Sequence, residues 1–325
     1  MLQYLVVILD NESISYCHYS NVDAEQRLIA LDDLRQGVFF AMKENLMVQL
    51  VWPDYDLPQE YLQVIDSVEH HNIVPSVMYS KGMDADIVVW DDWRGLQKIK
   101  ENDGVAHILH IAKEDLFENS SAMANCFDAI SRLNIVITEV ESFGDEDFKK
   151  YASVLAVFRQ AIAKIYAEGG KMQLNLLTDR MLLEKMNNCN AGNENITLAP
   201  DGKLYVCPAF YYDEIKCNSN TNSITTIGDL TTGLNIKCPQ LYKLSHSPIC
   251  RICDAFQCRR CVWLNKKMTN EVNIPSHEQC MMAHLERNAS GELLHQLRKS
   301  GIIESTIEIE EKDYLDPFEL IISNR

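Results

Sequence analysis

The stretch Cys250-Arg-Ile-Cys253-Asp-Ala-Phe-Gln-Cys258-Arg-Arg-Cys261 places two Cys-x-x-Cys pairs only four residues apart. Eight of the eleven cysteines in this 325-residue chain fall between Cys189 and Cys261. A Cys-x-x-Cys turn brings two soft sulfur ligands close enough to hold one metal. The stretch therefore predicts zinc, iron–sulfur clusters or disulfides in this part of the chain.

The amino terminus argues against disulfides. Met1–Asp10 lacks a basic start and a small-residue cleavage site. Its apolar run of about eight residues suits a strand and is too short for a signal or a membrane span. We therefore expect a cytoplasmic protein, in which thiols stay reduced and are available to a metal.

More cysteines flank the central stretch. Twelve residues separate Cys189 from Gly202, four separate Gly202 from Cys207, and eighteen separate Cys261 from Cys280. A single four-cysteine zinc site would leave Cys189, Cys207 and Cys280 without a role. Seven or more thiols suit two iron–sulfur clusters with interleaved ligands. Zinc remains the alternative at this stage.

The charge pattern also favours an anionic metal centre. The chain as a whole carries a formal charge of −17. The segment from Cys250 to Asn270, however, contains five basic residues and only one acidic residue, Asp254. These are Arg251, Arg259, Arg260, Lys266 and Lys267. Cations stabilise thiolate-bound clusters and zinc sites alike. The acidic balance of the whole chain argues against nucleic-acid and membrane partners.

The first 188 residues alternate between strand-like and helix-like patterns. Apolar runs of strand length cover Leu2–Leu9, Met47–Trp52, Ile73–Tyr79, Ile87–Trp90, His107–Ile111, Ile135–Val140 and Met172–Leu177. Helical patterns cover Ala30–Glu44, Gln59–His70, Leu116–Ser131 and Asp145–Glu168. Such alternation predicts an α/β fold with a parallel sheet, open or curled into a partial barrel.

The cysteine layout resembles a known family. Cys-x12-Gly-x4-Cys, a compact four-cysteine run and a last cysteine are similar to the SPASM domain, the carboxyl-terminal module of radical S-adenosylmethionine enzymes that modify peptides. Asn195–Cys207, with its Pro200-Asp201-Gly202 turn, looks like the small hairpin of that domain. The flanks Cys258–Asn265 and Glu278–Asn288 resemble, more narrowly, the CXXX repeat peptide maturase group.

The resemblance implies a domain order and a ligand set. Residues 1–184 would form a degenerate radical-enzyme-like α/β domain with a partial (β/α) barrel-like sheet. Residues 185–285 would form the SPASM-like module, and residues 286–325 a helix and an acidic tail. One 4Fe-4S cluster would use Cys250, Cys253, Cys258 and Cys280. A second would use Cys189, Cys207 and Cys261, with Cys217, Cys238 or an open iron site in the fourth place.

The radical-forming motif of the family is missing. Members need Cys-x3-Cys-x2-Cys after the first strand, where three thiolates hold the cluster that binds S-adenosylmethionine. This chain has Ile14-Ser-Tyr-Cys17-His-Tyr-Ser-Asn21 there, and Trp52–Pro58 replaces the glycine-rich loop after the second strand. The sequence therefore predicts no S-adenosylmethionine cleavage and identifies no cofactor-binding or catalytic residue.

The function implied by the resemblance is maturation of a ribosomally made, cysteine-repeat peptide. The chain would bind the precursor peptide or relay electrons through its clusters, together with a competent radical enzyme. An open iron beside Cys189, Cys207 and Cys261 would then receive a substrate thiolate. Two alternatives stand beside this interpretation: an enzyme that uses the clusters without S-adenosylmethionine, and a zinc-stapled scaffold or adaptor.

Overall fold

The computed structural model describes residues 2–20, 25–101, 104–186, 188–217 and 226–303. Two compact units divide the chain. The first unit comprises Met1–Gly95, Val105–His110 and Asn190–Lys243. The second unit comprises Leu96–Gly104, Ile111–Cys189 and Leu244–Arg325. The domain order 1–184, 185–285 and 286–325 stays a prediction.

Strands and helices alternate through the first half of the chain. The strands are β1 (Tyr4–Ile8), β2 (Met47–Val51), β3 (His70–Pro75), β4 (Ile87–Trp90), β5 (Ala106–Ile111), β6 (Arg132–Ile137), β7 (Gln173–Leu174), β8 (Asn195–Leu198), β9 (Lys203–Tyr205), β10 (Thr226–Asp229) and β11 (Gly233–Leu234). The helices are α1 (Leu31–Glu44), α2 (Gln59–Ile65), α3 (Ser76–Ser80), α4 (Lys113–Ala124), α5 (Asp145–Ala167), α6 (Thr178–Leu182), α7 (Pro208–Cys217), α8 (Val262–Thr269) and α9 (His277–Lys299).

The first unit contains a large, mostly parallel sheet. Its strands follow the order β11-β10-β9-β8-β1-β2-β3-β4-β5. Neighbours from β8 to β5 are parallel, whereas β8 to β11 are joined antiparallel. Leu5, Val7 and Ile8 of β1 are fully buried. Parallel strands covered on both faces read as continuous apolar runs of this kind. The predicted α/β class with a parallel sheet is confirmed.

The strand predicted over Ile73–Tyr79 was wrong for the residues after Pro75. β3 ends at Pro75, and α3 begins at Ser76 inside the predicted strand Ile73–Tyr79. Pro75 has φ −66° and ψ 146°, and a proline has no N–H to continue a sheet ladder. A short apolar run does not by itself distinguish a strand from a buried helix.

The predicted hairpin around Pro200-Asp201-Gly202 is confirmed. Strands β8 and β9 pair antiparallel across this turn. Gly202 has φ +79°, a left-handed conformation that glycine adopts without steric cost. Asp201 Oδ1 accepts the N–H of Lys203 at 3.1 Å, and its Oδ2 accepts the hydroxyl of Tyr205 at 2.8 Å. The turn sets the start of β9 and therefore the position of Cys207 just after it.

The second unit packs helices around a short parallel pair, β6 and β7. Helices α4 and α9 both pack on α5. Phe127 and Phe158, with ring centroids 5.1 Å apart, are fully buried in this core, as is Tyr151 of α5. Helix α9 begins where the Ser276 hydroxyl accepts the N–H of Gln279 at 3.2 Å. This helix carries Cys280 in its first turn.

The last helix of the described chain is α9, which ends at Lys299. The predicted acidic tail falls almost wholly on residues 304–325, which lie outside the described residues. Among the helices that the structure does describe, none combines the length and the apolar composition that a bilayer crossing needs.

Candidate metal centre

The central cysteine stretch is a chain of tight turns that ends in a helix. Cys250–Ile252 form one 3-10 turn, and Cys253 is extended after it. Cys261 is the residue that caps the amino terminus of α8, and its Sγ accepts the N–H of Leu264 at 3.4 Å. Cys253 Sγ accepts the N–H of Ala255, also at 3.4 Å. Backbone N–H groups directed at sulfur stabilise a metal-bound thiolate.

A first group of thiols consists of Cys250, Cys253 and Cys258. The pKa of Cys250 is raised to about 11, chiefly by burial; the charge of Arg260 opposes the increase and the charge of Cys253 adds to it. Burial also raises the pKa of Cys258, and the charges of Cys250 and Cys253 act in the same direction. These three sulfurs are therefore electrostatic neighbours in a region of low dielectric.

A second group of thiols consists of Cys189 and Cys261. Burial raises the pKa of Cys261 to about 12, and Cys189 contributes the next largest increase. The N–H of Cys189 donates to the carbonyl oxygen of Arg259 at 3.0 Å, which holds Cys189 against the turn before Cys261. The division of these cysteines between two clusters stays a prediction.

Asp254, the single acid of the stretch, is neutralised inside the second unit. Its Oδ2 lies 3.2 Å from Arg180 Nη2, and its Oδ1 lies 3.1 Å from Arg287 Nη1. Arg180 Nε also donates to the Asp254 carbonyl oxygen at 3.0 Å. Because Arg180 belongs to α6 and Arg287 to α9, these bonds attach the cysteine stretch to both helices.

His284 is a polar residue of this region that the sequence reasoning missed. Its Nε2 lies 3.7 Å from Cys253 Sγ. Cys280 precedes His284 by four residues on α9, so the two share one face of the helix. Cys280 therefore lies on the side of α9 that faces Cys253. The spacing Cys280-x3-His284, which puts both side chains on one face of any helix, was the signal available in the sequence.

The remaining candidate ligands lie in the first unit. Cys207 lies two residues after the end of β9, and Cys238 is exposed with φ +50°. Burial raises the pKa of Tyr242, and the charges of Cys207 and Cys238 act in the same direction. Cys217 ends α7, and its side chain is outside the described part of the structure.

The thiols that the structure describes do not form a complete metal site. Within the described residues, no three His, Cys, Asp or Glu side chains are arranged to hold a metal ion. The ten cysteines whose side chains are described form no disulfide with one another. Their chemistry nevertheless fits iron or zinc, because buried sulfurs with N–H donors are the usual surroundings of such metals. The seven-cysteine ligand set stays a prediction.

In the loop after β1, serine takes two of the three positions that the family motif gives to cysteine. Ser13, Cys17 and Ser20 stand at the spacing of the missing motif, with serine in two of its three places. Ser13 is fully buried, and its Oγ donates to the carbonyl oxygen of Val51 at 2.7 Å. Serine is a poor ligand for iron at neutral pH because its hydroxyl stays protonated. A 4Fe-4S cluster that binds S-adenosylmethionine does not fit this donor set.

Aromatic and polar side chains complete the packing around this loop. Tyr19 and Tyr212 are stacked with ring centroids 5.3 Å apart, and both are almost completely buried. Tyr211 donates its hydroxyl to Asn11 Oδ1 at 2.5 Å. His110 Nε2 lies 2.7 Å from the Cys17 carbonyl oxygen. The loop is thus held in place by hydrogen bonds and ring stacking within the first unit.

Comparison of the sequence with protein-family models gives no match. No curated protein matches it either. Solved structures of anSMEcpe do resemble the chain in fold. A histidine-tagged form with bound AdoMet aligns over 93% of this chain and 96% of that chain, with a TM-score of 0.59 and 12% identity. The native form with bound AdoMet and the Cp18Cys peptide covers 91% and 99%, with the same TM-score and identity.

At 12% identity, the likeness to anSMEcpe shows a shared fold. The α/β architecture with its large parallel sheet is the architecture of that protein. The likeness supports the predicted α/β fold with a parallel sheet.

Proposed function

We propose that this chain is a cytoplasmic maturation protein for a cysteine-repeat peptide and that its cysteine-rich region holds two 4Fe-4S clusters. The observation that carries the proposal is the cysteine spacing, together with the backbone N–H groups that lie 3.4 Å from the sulfurs of Cys253 and Cys261. The family resemblance assigns Cys250, Cys253 and Cys258 to one cluster and Cys189 and Cys261 to the other. The shared fold adds support, because anSMEcpe has been solved with a peptide bound.

The proposed ligands complete each group. Cys280 would join the first group, since it shares a helix face with His284, which lies 3.7 Å from Cys253 Sγ. Cys207 would join the second group. The fourth place in that group would be taken by Cys217, by Cys238 or by an open iron.

The chain would act without forming a radical of its own. Serine occupies two places of the motif around Cys17, and the Ser13 hydroxyl is committed to a bond with Val51. Cleavage of S-adenosylmethionine would then belong to a partner radical enzyme. When bound, iron–sulfur clusters supply one-electron transfer and, where an iron is open, a site for a soft ligand. The role left to this chain is to bind the peptide and relay electrons.

Metal analysis of anaerobically purified, cluster-reconstituted protein tests the proposal. Two cubane clusters require about eight irons per chain and give a broad visible charge-transfer band. We expect C253S and C261S each to lose about half of the iron, and C126S to keep all of it. Cys126 is a suitable control because it is a half-buried thiol of the second unit, outside both groups.

A colourless protein that retains zinc and never takes up iron would contradict the cluster proposal. That result would indicate instead a zinc-stapled scaffold, in which the metal only stabilises the fold.

Peptide binding is tested with a labelled synthetic peptide that carries cysteine repeats. We expect anaerobic, cluster-loaded protein to bind it and C261S to bind it more weakly, with C126S unchanged. A peptide in which every cysteine is replaced by serine separates thiolate recognition from general attraction. Equal binding by wild type and C261S would count against a role of the second cluster in holding the peptide. Modification of the peptide by the isolated chain would instead show an enzyme active without a partner.

A further inference from the structure

The first unit contains five tyrosine rings in successive contact, which form the tyrosine row. Tyr205 meets Tyr211 with ring centroids 5.3 Å apart, and Tyr211 meets Tyr212 at 5.4 Å. Tyr212 stacks on Tyr19 at 5.3 Å, and Tyr19 meets Tyr16 edge to face at 6.2 Å. Aromatic rings in contact have centroids roughly 4.5–7 Å apart. The row therefore runs without a gap from the end of β9 to the loop after β1.

The tyrosine row is buried except at one end. Exposure is at most 3% for four of its members, Tyr19, Tyr205, Tyr211 and Tyr212. Tyr16, at the end that lies in the loop after β1, is half-buried. A reagent in solution therefore reaches the row most directly at Tyr16, and the other four rings lie in the interior of the protein.

Apolar packing alone does not explain why these residues are tyrosines. The second unit uses phenylalanine for a comparable contact, that of Phe127 with Phe158 at 5.1 Å. Phenylalanine fills nearly the same space, and it brings no hydroxyl that needs a hydrogen-bond partner in the interior. A phenol differs from a phenyl ring in a further way, because it gives up one electron readily when its proton can leave at the same time. The tyrosine row is therefore suited to electron transfer.

Two hydroxyls in the middle of the row donate to neutral oxygens. Tyr211 donates to Asn11 Oδ1 at 2.5 Å, and Tyr212 donates to the carbonyl oxygen of Ser13 at 3.3 Å. An amide oxygen is a very weak base, so it does not retain the proton of an oxidised phenol. An oxidised ring at either position is therefore not stabilised and takes an electron from a neighbouring ring.

The hydroxyl at the inner end of the row donates to a carboxylate. Tyr205 donates to Asp201 Oδ2 at 2.8 Å. Lys203 Nζ lies 3.4 Å from the same oxygen and pairs with the carboxylate. A carboxylate is a base that accepts a phenol proton along an existing hydrogen bond. Of these three hydroxyls, that of Tyr205 is the one with a base to receive its proton.

We propose that the tyrosine row carries a one-electron oxidising equivalent from Tyr16 to Tyr205. A strong one-electron oxidant outside this chain, such as an organic radical on a partner, removes one electron at Tyr16. Electrons pass along the row to replace it, and Tyr205 finally loses one electron to the row and one proton to Asp201. The products are the reduced oxidant, a protonated Asp201 and a neutral tyrosyl radical at Tyr205. A one-electron reductant such as ascorbate reverses the change, because Asp201 returns the proton.

The tyrosine row receives an oxidising equivalent and does not generate one, so it is compatible with a chain that does not cleave S-adenosylmethionine. The row lies in the first unit alone and needs no metal. Its test therefore gives the same answer whether or not the cysteine-rich region holds clusters, and a failure would leave the proposed function standing.

The experiment generates the oxidant with light, on the full metal-free chain under anaerobic conditions. Photo-excited tris(bipyridine)ruthenium, with a cobalt(III) ammine as electron acceptor, forms ruthenium(III), which oxidises tyrosine. Samples frozen at increasing times are measured by electron paramagnetic resonance, and ring-deuterated tyrosine identifies a tyrosyl signal by its narrowed hyperfine pattern. We expect a long-lived tyrosyl radical in wild type, because Tyr205 is fully buried and its proton has an acceptor.

Conservative variants locate the radical and its path. Y205F should lose the long-lived signal, and Y212F, which keeps the ring but interrupts the oxidisable row, should weaken it. D201N keeps a hydrogen-bond acceptor without the base and should shorten the lifetime of the radical. Y61F is the matched control, because Tyr61 is a buried tyrosine of the same unit that donates to the Ile29 carbonyl oxygen at 2.7 Å. Circular dichroism verifies that each variant is folded.

Each outcome decides one part of the proposal. Loss of the signal in Y205F and a weaker signal in Y212F, with Y61F like wild type, support the relay. A wild-type radical that decays as fast as that of Y205F overturns Tyr205 as the end of the row. An unchanged signal in Y212F overturns transfer along the row, and a D201N radical that lasts as long as that of wild type overturns proton transfer to Asp201.

Discussion

Buried charge is concentrated in the side chains that surround the cysteine stretch. Asp254 is 3% exposed and is held between Arg180 and Arg287. A buried carboxylate of this kind is tolerated only while its partners remain, because a single uncompensated charge in the interior is costly. The position of the cysteines thus depends on ion pairs as well as on apolar packing.

Replacing Asp254 by asparagine should destabilise the second unit strongly. Two arginines would lose their carboxylate, and we expect the free energy of unfolding to fall by about 3 kcal/mol. Urea unfolding of the metal-free protein measures this. The exposed pair Arg94–Asp92, with side-chain exposures of 64% and 60%, is the matched control. D92N should cost less than about 1 kcal/mol, and equal losses for the two variants would contradict the prediction.

Glu286 should make stability depend on pH. Burial raises the pKa of Glu286 from its usual 4.5 to about 7, although hydrogen bonds from Tyr151 and Gln257 lower it in part. Between these pH values the unfolded chain has lost a proton that the folded chain still holds. Stability is therefore fully present below pH 4.5 and declines as the pH rises to about 7, by roughly 3 kcal/mol from this residue.

E286Q tests the dependence because glutamine has no proton to lose. Its amide would still accept the Tyr151 hydroxyl, which donates to Glu286 Oε1 at 2.7 Å. We expect the difference in unfolding free energy between metal-free wild type and E286Q to change across this pH range. Two curves that stay parallel would show that Glu286 is ionised in the folded protein throughout.

His284 should strengthen metal binding at Cys253. With Nε2 protonated, it donates toward Cys253 Sγ over 3.7 Å and favours the thiolate. H284A should therefore weaken zinc binding by about tenfold, the lower end of such neighbour effects. H295A is the control, since His295 is an exposed residue of the same helix. An unchanged affinity for H284A would leave His284 with a packing role only.

At the scale of elements, the β8–β9 hairpin depends on one glycine. A Cβ on Gly202 would lie 2.8 Å from Asp33 Oδ2, and the residue has φ +79°. G202A should lower the free energy of unfolding by about 1–2 kcal/mol. Gly291 in α9 offers the opposite case, with no atom within 4 Å of an added Cβ.

G291A should raise stability by up to about 1 kcal/mol, because alanine is the better helix former. Denaturant unfolding of both variants measures the pair. If G202A were as stable as wild type, the turn would have to relax into a different conformation. Such a result would also remove the reason for placing Cys207 by the geometry of this hairpin.

At the scale of the whole molecule, the fold resembles that of anSMEcpe, while the loop after β1 contains Cys17 as its one cysteine. We expect the reconstituted, reduced chain alone to form no 5′-deoxyadenosine from S-adenosylmethionine. Chromatography of the quenched reaction measures this, with a competent radical enzyme run in parallel. Steady production that depends on Cys17, and stops in C17S, would contradict the proposed division of labour.

Local patterns predicted much of this architecture. Strand β4 matches its predicted range, and the helix predicted over Ala30–Glu44 is displaced by one residue at its start. Both predictions rest on the spacing of apolar residues within a short window of sequence, and that spacing does not depend on distant contacts. The strand predicted over Ile73–Tyr79 ends at Pro75, because proline has no N–H to continue the sheet although the residues that follow are apolar.

The sequence by itself determined the cysteine spacing, the α/β alternation, the Gly202 turn and the single cysteine of the loop around Cys17. Each of these is written in residues close together along the chain. Only the tertiary structure decided that Arg260 is buried, that Asp254 lies between Arg180 and Arg287, and that Tyr151 meets Glu286. The last of these contacts joins residues 135 positions apart. Such contacts arise because burial forces distant polar groups to find partners, and no local pattern specifies which partner that is.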